Sequence, residues 1–248
     1  MTAFEIVYLS GAAMVGSALN AVAGGGSFFT FPALIFAGVP ILNANATSTV
    51  ALWPGSVSSA YTYRDKLQVQ RKLLFLFTLI SILGSIGGTL LLLVTPPDLL
   101  RKLLPYLMLS ATLLLVLKNK IANNRWMPAA SSNTTFVLIL QFIIGAYGGY
   151  FGGGMGILML AAFNLMGFAD LQQMNALKSF LGAFINGIAV LIFAMTGKVF
   201  WYHALLMVIS AIVGGYLGAF LGTKVSPRLL HFFIIGVGCF FTIYFFLE

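Results

Sequence analysis

Long apolar runs joined by short polar connections fill the chain, at about residues 4–22, 27–38, 45–63, 73–94, 99–117, 134–150, 154–168, 174–195, 201–222 and 228–247. None shows the period-two alternation of a barrel strand, and most approach the roughly 20 residues a helix needs to cross the hydrocarbon of a bilayer. The pattern therefore predicts ten hydrophobic helices. The second and seventh runs are short, and each follows a longer run across a glycine cluster. Glycine clusters break helices, so the first and second runs, and the sixth and seventh, are predicted as bent hairpins. Re-entrant and fully crossing hairpins are both compatible with this pattern, and the parity of the later helices is the same for either.

The runs repeat. A shift of 128 residues lays Gly24-Gly25-Gly26 over Gly152-Gly153-Gly154. A shift of 130 then pairs Asn45-Ala46 with Asn175-Ala176, Gly84 with Gly214, Gly88 with Gly218, Pro97 with Pro227 and Leu99-Leu100 with Leu229-Leu230. The expected organisation is one domain over 1–248, with repeat 1 at about 1–117, a linker at 118–133 and repeat 2 at about 134–248. Five runs per half is an odd number, so the second half is expected upside down in the membrane relative to the first.

Composition agrees with burial in lipid: 60% of residues are hydrophobic and 7% charged, against about 25% charged in soluble domains. The polar stretch around Lys118–Asn133 is too short to fold alone. The net charge of +8 sits in short connections, where membrane orientation accounts for it better than nucleic acid does. With the N-terminus outside, the inner loops hold Arg64, Lys66, Arg71, Lys72, Lys118, Lys120, Arg125, Lys224 and Arg228, and the outer loops Arg101, Lys102 and Lys198. Nine against three satisfies the positive-inside rule with both termini outside. The start of the chain lacks a basic region and a cleavage site, so the first run is expected to remain as a helix. The single cysteine, Cys239, excludes a disulfide framework and is expected to be a small packing residue.

The polar residues that remain are few and placed alike in both halves. At Gly24-Gly25-Gly26-Ser27 and at Gly152-Gly153-Gly154-Met155, a helix restarting after the break presents unpaired N–H groups and a positive dipole end, which suits an anion. Broken backbone at membrane depth needs protein or a watery cavity around it, so two matched breaks point to a central site. The competing explanation is close packing of small residues, and it is the preferred one for Gly84 with Gly88 and Gly214 with Gly218. After each hairpin comes a polar helix opening, with Asn45, Thr47 and Ser48 in one half and Asn175, Lys178 and Ser179 in the other. These could be caps or could bond back to their own helices. Lys178 stands where Ser48 stands in the first half; it faces either the interior, as partner to a bound anion, or the interface by snorkelling.

Glu5, Asp65, Asp98, Asp170 and Glu248 all lie near predicted span edges, which argues against a proton or sodium relay of buried carboxylates. His203 and His231 have no neighbours at ligand spacing, so no metal, cofactor or catalytic residue is expected. Asn20, Ser56, Ser58, Tyr61, Tyr150, Asn164 and Asn186 are further candidates for the path or for interhelical bonds. Trp53-Pro54 is expected to interrupt the third run.

Across nearly its full length the chain resembles the TauE/SafE, or sulfite exporter, family. The resemblance rests on Ala23-Gly24-Gly25-Gly26-Ser27 with Pro32 downstream, on Asn45-Ala46-Thr47-Ser48, on Gly149-Tyr150-Phe151-Gly152-Gly153-Gly154-Met155-Gly156 and on Asn175-Ala176-Leu177-Lys178. It implies an inner-membrane protein of bacteria or archaea that moves sulfite, sulfonates or related anions, commonly outward. Leu160 replaces the counterpart of Pro32, so the hairpins differ there. The expected function is alternating-access transport of a small anion by two inverted repeats embedded in lipid. An anion channel, an uncoupled exchanger and an assembly factor without a transported substrate are the alternatives.

Overall fold

The computed structural model describes residues 2–123, 134–168, 170–222 and 227–247. Ten α-helices follow one another: α1 (Ala3–Val22), α2 (Ser27–Phe36), α3 (Ile41–Thr62), α4 (Arg71–Val94), α5 (Pro97–Asn123), α6 (Thr134–Tyr150), α7 (Met155–Leu165), α8 (Leu171–Met195), α9 (Trp201–Leu221) and α10 (Pro227–Leu247). A 3₁₀ turn at Arg64–Lys66 precedes α4. No strand occurs among the described residues, as lipid demands of a backbone that must satisfy its own hydrogen bonds. At 1.5 Å per residue, α1 is about 30 Å long, while α2 and α7 reach only about half of that. Among the described residues, α1, α4, α8 and α9 are long and apolar enough to cross a membrane by length and composition alone.

Several boundaries move. α5 runs to Asn123, so Lys118 and Lys120 belong to a helix instead of a linker, and Arg125 and Pro128 lie outside the described residues. α3 and α8 start at Ile41 and Leu171, ahead of the apolar runs, and Asn43 and Gln173 in their first turns bond the loop carbonyls of Lys198 and Gln68. Asn45, Thr47 and Asn175 are therefore inside helices and cap neither one. Asp170 is the N-cap of α8, accepting from the Gln172 amide at 2.9 Å. Thr2 and Glu5 form a reciprocal capping box at the start of α1. Pro54 does not end α3, which continues to Thr62.

Small residues decide how the helices meet. α1 lies along α9 in the same direction, with Gly214 against Met14 and Gly218 against Ala18; α4 lies along α6 likewise, with Gly84 against Phe142 and Gly88 against Ala146. α3 crosses α8 in the opposite sense, Trp53 meeting Ala183 and Gly187 while Val50 and Ala46 share a core with Val190 and Phe193. Exchanging the halves, helix by helix, turns the α1–α9 pair into α6–α4, and the α5–α7 pair into α10–α2. The glycine pairs at 84/88 and 214/218 thus serve packing. A Cβ at Gly88 would lie 1.9 Å from the Ala146 carbonyl oxygen, whereas one at Gly87 meets nothing within 4 Å. Gly88→Ala should cost roughly 1–3 kcal/mol of stability and Gly87→Ala nothing, as read by thermal unfolding in detergent.

Hydrophobicity is turned outward as well as inward. Phe75, Leu83, Leu90, Ile139, Leu191, Leu205, Ile209 and Phe220 are exposed, a surface that only lipid solvates well. Cys239 belongs to it, being exposed on α10 instead of packed inside. The inside holds most of α2 and one side of α7. Phe28, Phe31 and Leu34 of α2 are fully enclosed, as are Met159 and Phe163 of α7, because a short helix apolar on all sides is stable only when surrounded.

Candidate functional site

Each first helix of a hairpin ends on a left-handed glycine. Gly24 has φ +84°, Gly152 +75° and Gly154 +77°, conformations open to glycine at little cost. The breaks meet in the middle of the molecule: a Cβ on Gly24 would fall 2.3 Å from the Cα of Gly156, and Gly26 lies against Gly16. Gly24, Gly25, Gly26, Gly153 and Gly154 are buried, while Gly152 and Ser27 are half-buried near each other. Tyr147 ties down the second break, its hydroxyl donating to the Gly153 carbonyl at 2.6 Å. The amides of Gly25, Gly26 and Ser27, and of Gly153, Gly154 and Gly156, find no backbone acceptor among the described residues.

Lys178 reaches into this junction. It is 4% exposed, and its Nζ donates to the carbonyls of Asn20 at 2.9 Å and Ala21 at 2.8 Å. Those are last-turn carbonyls of α1, whose partial negative charge favours a cation. The interior placement holds, and snorkelling does not. The equivalent carbonyl in the other half, on Tyr150 at the end of α6, accepts from Asn45 Nδ2 at 3.1 Å. Both helix ends are thus capped by the third helix of the opposite half, once by an amide and once by an ammonium.

The remaining polar residues divide by half. Thr47 Oγ1 accepts from the Phe200 amide at 3.0 Å, at the start of α9, and Ser48 pairs with Thr30 at 2.6 Å. Asn45, Thr47 and Ser48 therefore each bond another part of the protein. In the second half the Asn175 Oδ1 and the Ser179 Oγ are buried without a hydrogen-bond partner, a costly state that groups retain for a reason. Ser179 and Lys178 border a cavity of about 20 Å³ with Asn20, Ser56, Ser59, Met155, Gly156 and Gly182, room for about one water. Asn20 Nδ2 donates to Ser56 Oγ at 3.3 Å across it. Gly24, Gly25, Gly26 and Ser27 do not line this cavity; Gly24 packs against Gly156 of the second hairpin.

Sequence reasoning missed Ser59 and Gly182. The signal for Gly182 was in the repeat. Its counterpart at the shift of 130 is Leu52, 3% exposed in the core, so the first half fills the space that the second leaves open. Ser59 stands one helical turn beyond Ser56 on the same face of α3. Its hydroxyl reaches the carbonyls of Gly55 and Gly215. Asn186 is buried on α8 away from the cavity wall.

The family described as sulfite exporter TauE/SafE matches residues 9–245. The chain belongs to that family. It is 32% identical over 230 residues to a probable membrane transporter protein, ORF9, of a Sinorhizobium species, covering 90% of this chain and 82% of that protein. Against the probable membrane transporter protein YfcA of Escherichia coli strain K12 the identity is 30% over 224 residues, with the same coverage. A probable membrane transporter protein of Haemophilus influenzae is 30% identical over 206 residues, covering 83% of this chain and 80% of its own length. No solved structure matches. The TauE/SafE family is one of membrane transporters, and its match extends across both glycine-broken hairpins and Lys178. The polar residues described above therefore lie in a multi-pass membrane protein, where each buried polar group is expensive.

Proposed function

We propose that the chain is a secondary transporter of a small sulfur oxyanion, sulfite or a sulfonate, in the inner membrane, working by alternating access of two inverted repeats. The observation that carries this reading is Lys178, a buried cation set beside the unpartnered Ser179 hydroxyl where the two glycine breaks abut. An oxyanion there would accept from Ser179 and from the ammonium, with the Gly156 amide at the wall.

The inverted relation draws support from the opposed directions of α3 and α8 and from the helix pairs that interchange with the halves. Orientation draws support from the loops: Asn43 bonds the Lys198 carbonyl at 2.9 Å at one end of the bundle, and Gln173 bonds the Gln68 carbonyl at the other. The second end carries the cationic segment 64–72 and faces the cytoplasm by the positive-inside rule. A cavity with room for one water is too small for a sulfur oxyanion, so the halves must part for loading. That is the motion alternating access requires. The reading needs no catalytic residue, metal or cofactor.

The test is flux. Liposomes containing the purified protein and loaded with sulfite should release it with a saturable rate that trans sulfite accelerates and chloride does not compete away. Release that rises linearly with concentration would identify a channel. Sulfite efflux equal to that of empty liposomes would reject the reading.

A further inference from the structure

An apolar groove of about 550 Å³ opens between α3 and α8, away from the cavity assigned to the anion. Trp53, Val57 and Tyr61 of α3 and Phe184, Gly187 and Leu191 of α8 form its walls. Val57, Tyr61, Phe184 and Leu191 are exposed, so the groove opens on the outer surface of the bundle, where the surrounding medium is acyl chains. Trp53 Nε1 donates to the Ala183 carbonyl at 2.9 Å. The one polar atom of the indole is thereby satisfied, and its ring is left as an apolar floor. Gly187 keeps that floor open, since a Cβ there would stand 3.0 Å from Trp53 Nε1.

The dimensions suit one leaflet. Trp53 to Tyr61 is about 12 Å along α3 and Phe184 to Leu191 about 10 Å along α8, close to half of a hydrocarbon core roughly 30 Å thick. At the Tyr61 end the chemistry changes. The Arg64 guanidinium lies 4.1 Å from the centre of the Tyr61 ring and donates to the Tyr61 carbonyl at 2.9 Å. Asp65 lies 3.8 Å from Arg64 Nε and offsets part of its charge. Segment 64–72 nevertheless holds Arg64, Lys66, Arg71 and Lys72 against that one carboxylate, all of them exposed. A guanidinium set over an aromatic ring at the mouth of an apolar slot suits a molecule with a phosphate at one end and an unbranched hydrocarbon at the other.

We propose that the groove between α3 and α8 holds an acyl chain of an anionic phospholipid from the leaflet that borders Arg64, with the phosphate against that guanidinium. Basic residues at the cytoplasmic surface select anionic lipid, and the groove converts that selection into a seated chain. The seat lies where the third helices of the two halves cross.

Trp53 is a built-in reporter. In a Trp126→Phe, Trp201→Phe background the full chain is reconstituted in phosphatidylcholine vesicles containing a fixed fraction of lipid brominated at mid-chain. Brominated phosphatidylglycerol should quench Trp53 about fivefold more effectively per mole than brominated phosphatidylcholine. Arg64→Gln should erase that preference, and Ala60→Leu, which narrows the groove, should lower quenching by both lipids. Equal quenching by the two lipids in the parent would mean ordinary contact with bulk lipid and would overturn the proposal. Absence of quenching by either would mean that the groove is closed or covered by a second copy of the chain, and it overturns the proposal too. Arg64 is exposed, so Arg64→Gln decides the head-group claim even if Ala60→Leu does not fold.

Discussion

Lys178→Gln should lower sulfite flux in proteoliposomes at least about tenfold, the equivalent of one charge-assisted contact of 1.5–3 kcal/mol, while the protein still folds. The side chain has two duties in the structure. It caps the Asn20 and Ala21 carbonyls at the end of α1, and it contributes the positive charge bordering the cavity. Glutamine keeps an N–H donor for the first duty and lacks the charge for the second. Methionine, similar in length, loses both; Lys178→Met should therefore also lower stability by roughly 1–3 kcal/mol, the cost of buried carbonyls left unpaired. Comparing unfolding temperature with flux in the two variants separates cap from charge. A Lys178→Gln protein that moves sulfite at the parent rate would remove the cation from the mechanism.

The second large effect is expected at Gly24. Gly24→Ala combines two penalties: a positive φ for a residue with a Cβ, and a Cβ 2.3 Å from the Gly156 backbone. Left-handed strain and overpacking each cost roughly 1–3 kcal/mol, so about 4 kcal/mol of lost stability is expected, with flux abolished. Gly38 supplies the control. Its φ is +78° with nothing within 4 Å of a Cβ, so Gly38→Ala should cost only the conformational part, about 1 kcal/mol. Denaturation in detergent of the two variants side by side reads the contact between the hairpins as the difference. If both lose the same stability, the breaks do not abut and the central junction is misplaced.

The position of the cavity follows from a broken equivalence. Asn45 and Lys178 cap matching helix ends, yet they are not matching residues: Asn175 is the counterpart of Asn45, and Ser48 that of Lys178. In the second half Lys178 takes the α1 carbonyls, and the Asn175 Oδ1, an acceptor, is buried without a donor. In the other half Ser48 is short and pairs with Thr30, and Leu52 fills the space that Gly182 leaves open. The Ser179 hydroxyl, by contrast, stays unpartnered at the cavity wall.

The apolar runs alone determined ten helices and both breaks, because in lipid a backbone has no water to bond and every long apolar segment must close its hydrogen bonds within itself. They also determined the repeat, legible through glycines, prolines and asparagines that keep one spacing. Only the tertiary structure decided which polar side chains already bond a distant part of the protein. Thr47 accepts from the Phe200 amide 153 residues away, and Asn45 donates to the Tyr150 carbonyl 105 residues away. A hydroxyl or amide reads the same in a sequence whether its partner is a substrate or a distant helix end, since what distinguishes them is the crossing of helices from opposite halves.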